Sequence, residues 1–256
     1  MGKYIFGSKD SIHIIDLVQT LEMANKALNE IYNCITSGGK LLIVSTKKQA
    51  ADAVANLAKE TSQFYVNHRW LGGMLTNWKT ISNSIKRYKK LKENLEKENK
   101  GFTKKEILKL TAERDKLERS LGGIADMKNT PNMIFVIDTN IESLAVKEAL
   151  KLNIPIVGII DTNSDPTGIN FPIPGNDDAR RAINLYCELV KQTVLEAQKN
   201  ITVKKDEEKV KEEEKDVKMK EPTNKETKPK KEKPKKEKKT SSIISKIKKI
   251  ASKKLP

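Results

Sequence analysis

The 256 residues carry 50 Lys and Arg against 34 Asp and Glu, a formal charge of +16, with 37% apolar residues and two cysteines. Cys34 and Cys187 lack CxxC spacing, which excludes a disulfide framework or a zinc ribbon and implies a reducing compartment. No apolar run reaches the roughly 20 residues of a membrane span, and Met-Gly-Lys-Tyr-Ile-Phe is neither a signal nor a transit peptide, so a cytosolic protein without stable membrane association is expected.

From the N-terminus, Asp16 is a candidate N-cap for a helix from Leu17 to about Ile35 that ends near Gly38-Gly39. Three continuous apolar runs follow along the chain: Leu41 to Thr46, Met133 to Asp138 and Ile156 to Asp161. Continuous runs mark strands buried on both faces of a parallel sheet. Each is followed by a helical pattern, over Lys47 to Lys59, Glu142 to Leu152 and Asp177 to Ala197. This alternation predicts a doubly wound α/β layer fold.

Between the first and second runs, Tyr65 to Thr80 gathers both tryptophans, Trp70 and Trp78, with Asn67, His68, Arg69, Asn77 and Lys79. Flat apolar groups beside cations and amides suit RNA; a turn burying its tryptophans against the sheet is the plain alternative. Lys79 to Leu121 then breaks the rhythm. Ile81, Ile85, Tyr88, Leu91 and Leu95 form one narrow seam, and Ile107, Leu110, Arg114, Leu117 and Leu121 a second, the pattern of an antiparallel coiled-coil hairpin. The other faces carry Lys86, Arg87, Lys89, Lys90, Lys92, Lys104, Lys105 and Lys109. This stretch holds 14 basic and 7 acidic residues, a surplus of 7. A solvated coiled coil is the bland reading, and the surplus favours phosphate contact.

From Thr202 onward the chain is Lys, Glu, Pro and Thr, with 21 basic and 11 acidic residues, a surplus of 10. Such composition cannot offset ordering entropy by burial, so Thr202 to Lys239 is expected to be disordered. Within 242–254, Ile243, Ile244, Ile247, Ile250 and Ala251 align as one stripe of a short basic amphipathic helix. The remaining body is near neutral, which argues against an enzyme for acidic substrates and for binding of a polyanion through the extensions. The expected division is an α/β domain over 1–78 and 122–200, a hairpin insertion over 79–121 and a tail over 201–256.

At the strand ends stand Asp138-Thr-Asn140, Asp161-Thr-Asn163 and Asp177-Asp178. Paired acids or hard-cation ligands are one reading; caps for the following helices are the better one, because no matching base, thiol or metal-spaced His accompanies them. Gly38-Gly39-Lys40 precedes its strand and lacks phosphate-loop framing, no GxGxxG follows any strand, and His13 and His68 stand alone. The residues therefore predict no catalytic group, metal, cofactor or small-molecule substrate.

Arg69 to Ile81 (RWLGGMLTNWKTI), Leu121 to Met127 (LGGIADM), Ile134 to Thr139 (IFVIDT), Ile154 to Pro166 (IPIVGIIDTNSDP) and Ile173 to Ile183 (IPGNDDARRAI) closely resemble the bacterial small-subunit ribosomal protein S-two family over about Tyr4 to Ala197. The resemblance implies a flavodoxin-like three-layer α/β domain with a protruding coiled-coil hairpin. It also implies a non-enzymatic place in the small ribosomal subunit, on 16S ribosomal RNA among neighbouring ribosomal proteins, and help in recruiting the subunit's mRNA-binding protein numbered one. The family's pattern usually opens with a further N-terminal segment containing a Gly-His-rich stretch. That leaves either a start misassigned at an internal methionine or a chain lacking that segment's contacts. The tail has no counterpart in the family pattern. The expected RNA contacts are Lys47, Lys48, Asn67, His68, Arg69, Trp70, Asn77, Lys79, Lys86, Arg87, Lys89, Lys90, Lys104, Lys105, Arg180 and Arg181, mostly to phosphate, which positions a protein without reading sequence. A nucleotide-binding enzyme would instead show small-ligand affinity at the strand ends, and a coiled-coil adaptor would bind in a way that survives high salt.

Overall fold

The computed structural model describes residues 1–96 and 103–218, the stretch 202–218 as backbone only. The first elements are a two-stranded antiparallel hairpin, β1 (Ile5–Lys9) and β2 (Ile12–Ile15). Its tight turn uses Asp10 and Ser11, both at positive φ, the twist that a two-residue hairpin needs. Phe6, Ile12 and Ile14 on this hairpin are exposed. The sequence pattern does not announce it, because Asp-Ser lacks the glycine that usually flags such a turn.

Helix α1 (Leu17–Thr36) follows, with Asp16 accepting from the Val18 N–H as the expected N-cap. Next come β3 (Leu41–Val44), α2 (Ala51–Thr61), β4 (Phe64–Val66), α3 (Trp78–Glu96), α4 (Lys104–Leu121), β5 (Met133–Ile137), α5 (Ser143–Lys151), β6 (Ile156–Ile160), β7 (Phe171–Pro174) and α6 (Arg180–Lys218). Strands β3 to β7 form one parallel sheet in the order β4-β3-β5-β6-β7. Counted within the sheet this is 2-1-3-4-5, the order of flavodoxin-like folds.

The three central strands are buried at every position, so both faces of the sheet are covered. On one face Leu42, Val44, Ile134, Val136, Ile156 and Ile160 cluster with Ala145 and Ala149 of α5 and with Ile81, Ile85 and Leu121 at the base of α3 and α4. The alternate residues Leu41, Ile43, Phe135, Ile137, Val157 and Ile159 are equally buried. Helix α1 packs on β3 and β7, and α2 on β3 and β4. Along α6, Ile183, Cys187, Val190, Val194 and Ala197 make a buried stripe at steps of four and three. Asn200 donates to the Tyr32 hydroxyl at 2.6 Å and Gln198 to the Thr61 carbonyl at 2.7 Å, tying α6 to α1 and α2.

Helices α3 and α4 pack against each other. The start of α3 and the end of α4 share the core cluster, so the chain leaves the sheet and returns to the same place. Ile81, Ile85 and Tyr88 are buried, whereas Lys86 and Arg87 between them are exposed.

The chain divides into Met1–Ile201 and Thr202–Pro256. Disorder was expected from Thr202, yet helix continues to Lys218. From Thr202 the chain has no Gly or Pro before Pro222, so Lys, Glu and Val satisfy the backbone locally as helix. The rest of the expected disorder and the amphipathic stretch 242–254 lie outside the described residues.

Candidate nucleic-acid interface

In flavodoxin-like sheets the crevice at the carboxyl ends of the first and third strands is where ligands usually bind. Here those ends are Ser45-Thr46-Lys47 and Asp138-Thr139-Asn140, and the chain's own side chains occupy the space between them. Lys47 Nζ lies 2.6 Å from Asp138 Oδ2, 2.7 Å from Asp177 Oδ1 and 2.6 Å from Asp178 Oδ1, with its side chain only 8% exposed. Asp138 sits at φ 68°, a left-handed conformation that Asp tolerates. Its Oδ1 accepts from the N–H groups of Asn140 and Ile141, closing the turn into α5. Beside it, buried Glu142 accepts from the Thr46 N–H at 2.5 Å.

Burial raises the Asp177 carboxyl, an effect the Lys47 ammonium opposes. Burial also acts to lower the Lys47 ammonium, but its hydrogen bonds to the three aspartates outweigh this and hold it above the ordinary lysine value. The Glu142 carboxyl is raised, mainly by burial. Carboxylate oxygens of Asp161, Asp177 and Asp178 lie within 4.8 Å of one another, and Lys47 supplies positive charge to two of them. The crevice is thus closed by an internal ion cluster. Lys47, expected among the phosphate contacts, thus has its ammonium among three carboxylates from two loops, those of Asp138 and Asp177 buried and that of Asp178 72% exposed. The cap ahead of α6 is Asn176 and not Asp177: Asn176 Oδ1 accepts from the Asp178 and Ala179 N–H groups.

Trp70, also expected among the RNA contacts, follows the alternative of a tryptophan buried by its turn. It is 7% exposed and belongs to the core cluster, where no base can stack on it. Its Nε1 donates to Glu148 Oε1 at 3.0 Å. The same carboxylate accepts from the N–H groups of Gly73 (2.7 Å), Leu75 (2.9 Å) and Thr76 (3.1 Å) and from the Thr76 hydroxyl. Burial pushes the Glu148 carboxyl up, but these donors, Trp70 first, bring it below the usual range. The loop before α3 is therefore wrapped around one glutamate of α5. Sequence reasoning missed Glu148, whose only signal is a lone acid on an otherwise ordinary helix. Trp78, half-buried at the base of α3, donates to the Lys128 carbonyl, and Asn67 donates to the Ala51 carbonyl.

The remaining predicted residues lie on the surface. His68, Arg69, Asn77 and Lys79 are exposed at the start of the hairpin, with Asn77 accepting from the Thr80 hydroxyl. Lys86, Arg87, Lys89 and Lys90 are exposed on α3, and Lys104 and Lys105 on the first turn of α4. Arg87 pairs with Glu113 and Lys89 with Asp126. Lys86, Lys90, Lys104 and Lys105 have no ion-pair partner among the described residues. Lys48, Arg180 and Arg181 are exposed at the carboxyl-end side of the sheet. The structure thus separates the predicted set into a buried pair, Lys47 and Trp70, and exposed cations concentrated on the hairpin. No described helix is long and apolar enough to cross a membrane.

A family model described as Ribosomal protein S2 matches residues 1–197. Among similar proteins, the small ribosomal subunit protein uS2 of Parvibaculum lavamentivorans is 57% identical over 196 residues, covering 77% of this chain and 78% of that protein. The corresponding protein of Gluconacetobacter diazotrophicus is 58% identical over 77% of this chain and 75% of its own, and that of Caulobacter vibrioides 57% identical over 77% and 73%. A non-enzymatic family agrees with a switch-point crevice filled by its own salt bridges, and the chain belongs to the ribosomal protein S2 family of the small ribosomal subunit.

Proposed function

We propose that this chain is a structural constituent of the small subunit that binds 16S ribosomal RNA through its hairpin and supports translation in the cytoplasm. The observation that carries this reading is the division of α3 and α4 into an inward apolar seam and an outward row of lysines, of which only Lys89 has a carboxylate partner among the described residues. Unpaired surface cations have no role in holding the fold, and they gain free energy by releasing counterions from a polyanion. Arg69, Lys79, Lys48, Arg180 and Arg181 extend the same charge onto the domain. A part in recruiting the mRNA-binding protein numbered one is supported by the family resemblance.

The test uses the full chain and 16S RNA particles lacking this protein. Replacing Lys86, Lys90, Lys104 and Lys105 together by Gln should leave the melting temperature unchanged and flatten the plot of log affinity against log salt by about 0.7–0.9 for each phosphate no longer neutralised. Unchanged affinity and slope would overturn the hairpin assignment.

A further inference from the structure

The described residues hold a pocket of about 830 Å³ on the opposite end of the sheet from the filled crevice. It lies where the amino ends of β3, β4 and β5 meet the chain leaving α4. Tyr65 and Gly123 form part of its wall, with Lys40, Lys59, Lys128 and Asn129 around it. The tightness of that wall is fixed by Gly123, where an added Cβ would fall 2.1 Å from the Tyr65 carbonyl oxygen and 2.9 Å from its ring. Only glycine lets the backbone pass so close and leaves the space beyond it open.

The charge around the pocket is one-sided. Lys40, Lys59 and Lys128 are exposed and make no ion pair among the described residues. Its one acidic residue, Asp126, is held by Lys89 at 2.9 Å. Some amides of the wall are already committed: Asn132 Oδ1 accepts from the Lys40 N–H and Gln63 Oε1 from the Leu41 N–H. Three free ammonium groups around an aromatic ring and an exposed amide are the chemistry that receives a nucleotide with its base turned out of the stack. The size suits a drug-sized ligand, and a nucleotide is of that order.

Building on the reading of the chain as an rRNA-binding protein, we propose that this pocket takes a single unpaired RNA nucleotide, its phosphates against Lys40, Lys59 and Lys128 and its base against Tyr65. The pocket shares Asp126 with the Lys89 ion pair and so adjoins the basic hairpin, giving one continuous RNA surface with a specific socket at the hairpin's base.

The experiment compares wild type, the exposed-site variant Lys40→Gln/Lys59→Gln/Lys128→Gln and Tyr65→Phe, all full-length, on 16S RNA particles lacking this protein, together with ultraviolet cross-linking mapped by mass spectrometry. The triple variant should weaken binding about tenfold or more at 0.15 M salt and flatten the salt slope by about 0.7–0.9 for each phosphate released. The wild-type and Tyr65→Phe proteins should both cross-link through position 65, since the ring is retained. If wild type binds while the triple variant keeps its affinity and slope, or if no cross-link reaches position 65, the pocket assignment is overturned and RNA binding by the hairpin stands. If wild type does not bind the RNA particles, both readings fall.

Discussion

Trp70 and Glu148 are 78 positions apart in the chain, and the indole Nε1 of one donates to the carboxylate of the other at 3.0 Å. Around that bond the backbone of Gly73, Leu75 and Thr76 turns its N–H groups onto the same two oxygens. A loop that would otherwise bury unsatisfied donors is held by one side chain, and the hairpin starts directly after it. Glu148→Gln keeps one acceptor oxygen and places an amide among donors, so at least one N–H is left without an acceptor. The expected loss is about 2–3 kcal/mol of stability, measured by urea denaturation at neutral pH, with the transition slope unchanged.

The same carboxyl gives a pH dependence. Its folded-state pKa is below the usual value, because the donors outweigh burial. It therefore stabilises the fold fully above its unfolded value near 4.3, and the contribution is lost as pH falls through the folded value. Wild type should lose stability on acidification below about pH 5, and Glu148→Gln should show a shallower loss over the same range. Parallel curves for the two proteins would show that other carboxylates set the acid limit.

What the sequence revealed and what it concealed follow from the range of the interactions. Strands β3, β5 and β6 are legible because being covered on both faces leaves a continuous apolar run. Strand β4 has only three residues, and β7 reads Phe-Pro-Ile-Pro, two prolines that a central strand would reject and an edge strand accepts. Both are edges in the observed order. Asp16 could be read as a cap because its partner is two residues away. Trp70 and Lys47 could not be placed, because an indole that stacks on a base and one that fills a core are the same letter. What distinguishes them is Glu148 in the one case and Asp138, Asp177 and Asp178 in the other, all supplied by distant parts of the chain.

Gly123 follows the end of α4, where the chain passes against the Tyr65 carbonyl. A methyl group there would demand movement of backbone, which yields less readily than a side chain. Gly123→Ala should cost about 1–3 kcal/mol or more, the range of overpacked sites. Gly122→Ala, whose added Cβ would stand 3.5 Å from the Glu118 side chain at ordinary van der Waals distance, should be near neutral. Equal melting temperatures for the two variants would contradict the close approach.

Lys47 stands where flavodoxin-like folds usually admit a ligand, and its ammonium is the positive centre for Asp138, Asp177 and Asp178. Breaking a buried pair by removing one partner costs about 3–5 kcal/mol, since the buried carboxylates of Asp138 and Asp177 then remain without their cation. Lys47→Met keeps most of the stem's volume and should lose stability of that order at pH 7.5. The pH dependence identifies the cause. Burial already raises the Asp177 carboxyl while Lys47 restrains it, so without Lys47 the folded state takes up a proton more readily than the unfolded chain. A carboxyl with a raised folded-state pKa favours folding as pH falls toward its unfolded value. The deficit of Lys47→Met relative to wild type should therefore shrink between pH 7.5 and about pH 5. A deficit that stays constant over this range would mean that poorer packing around the missing lysine stem, and not the uncompensated carboxylates, is what destabilises the variant. RNA affinity at a temperature where the variant remains folded should match wild type, because the charge removed is already spent inside the protein.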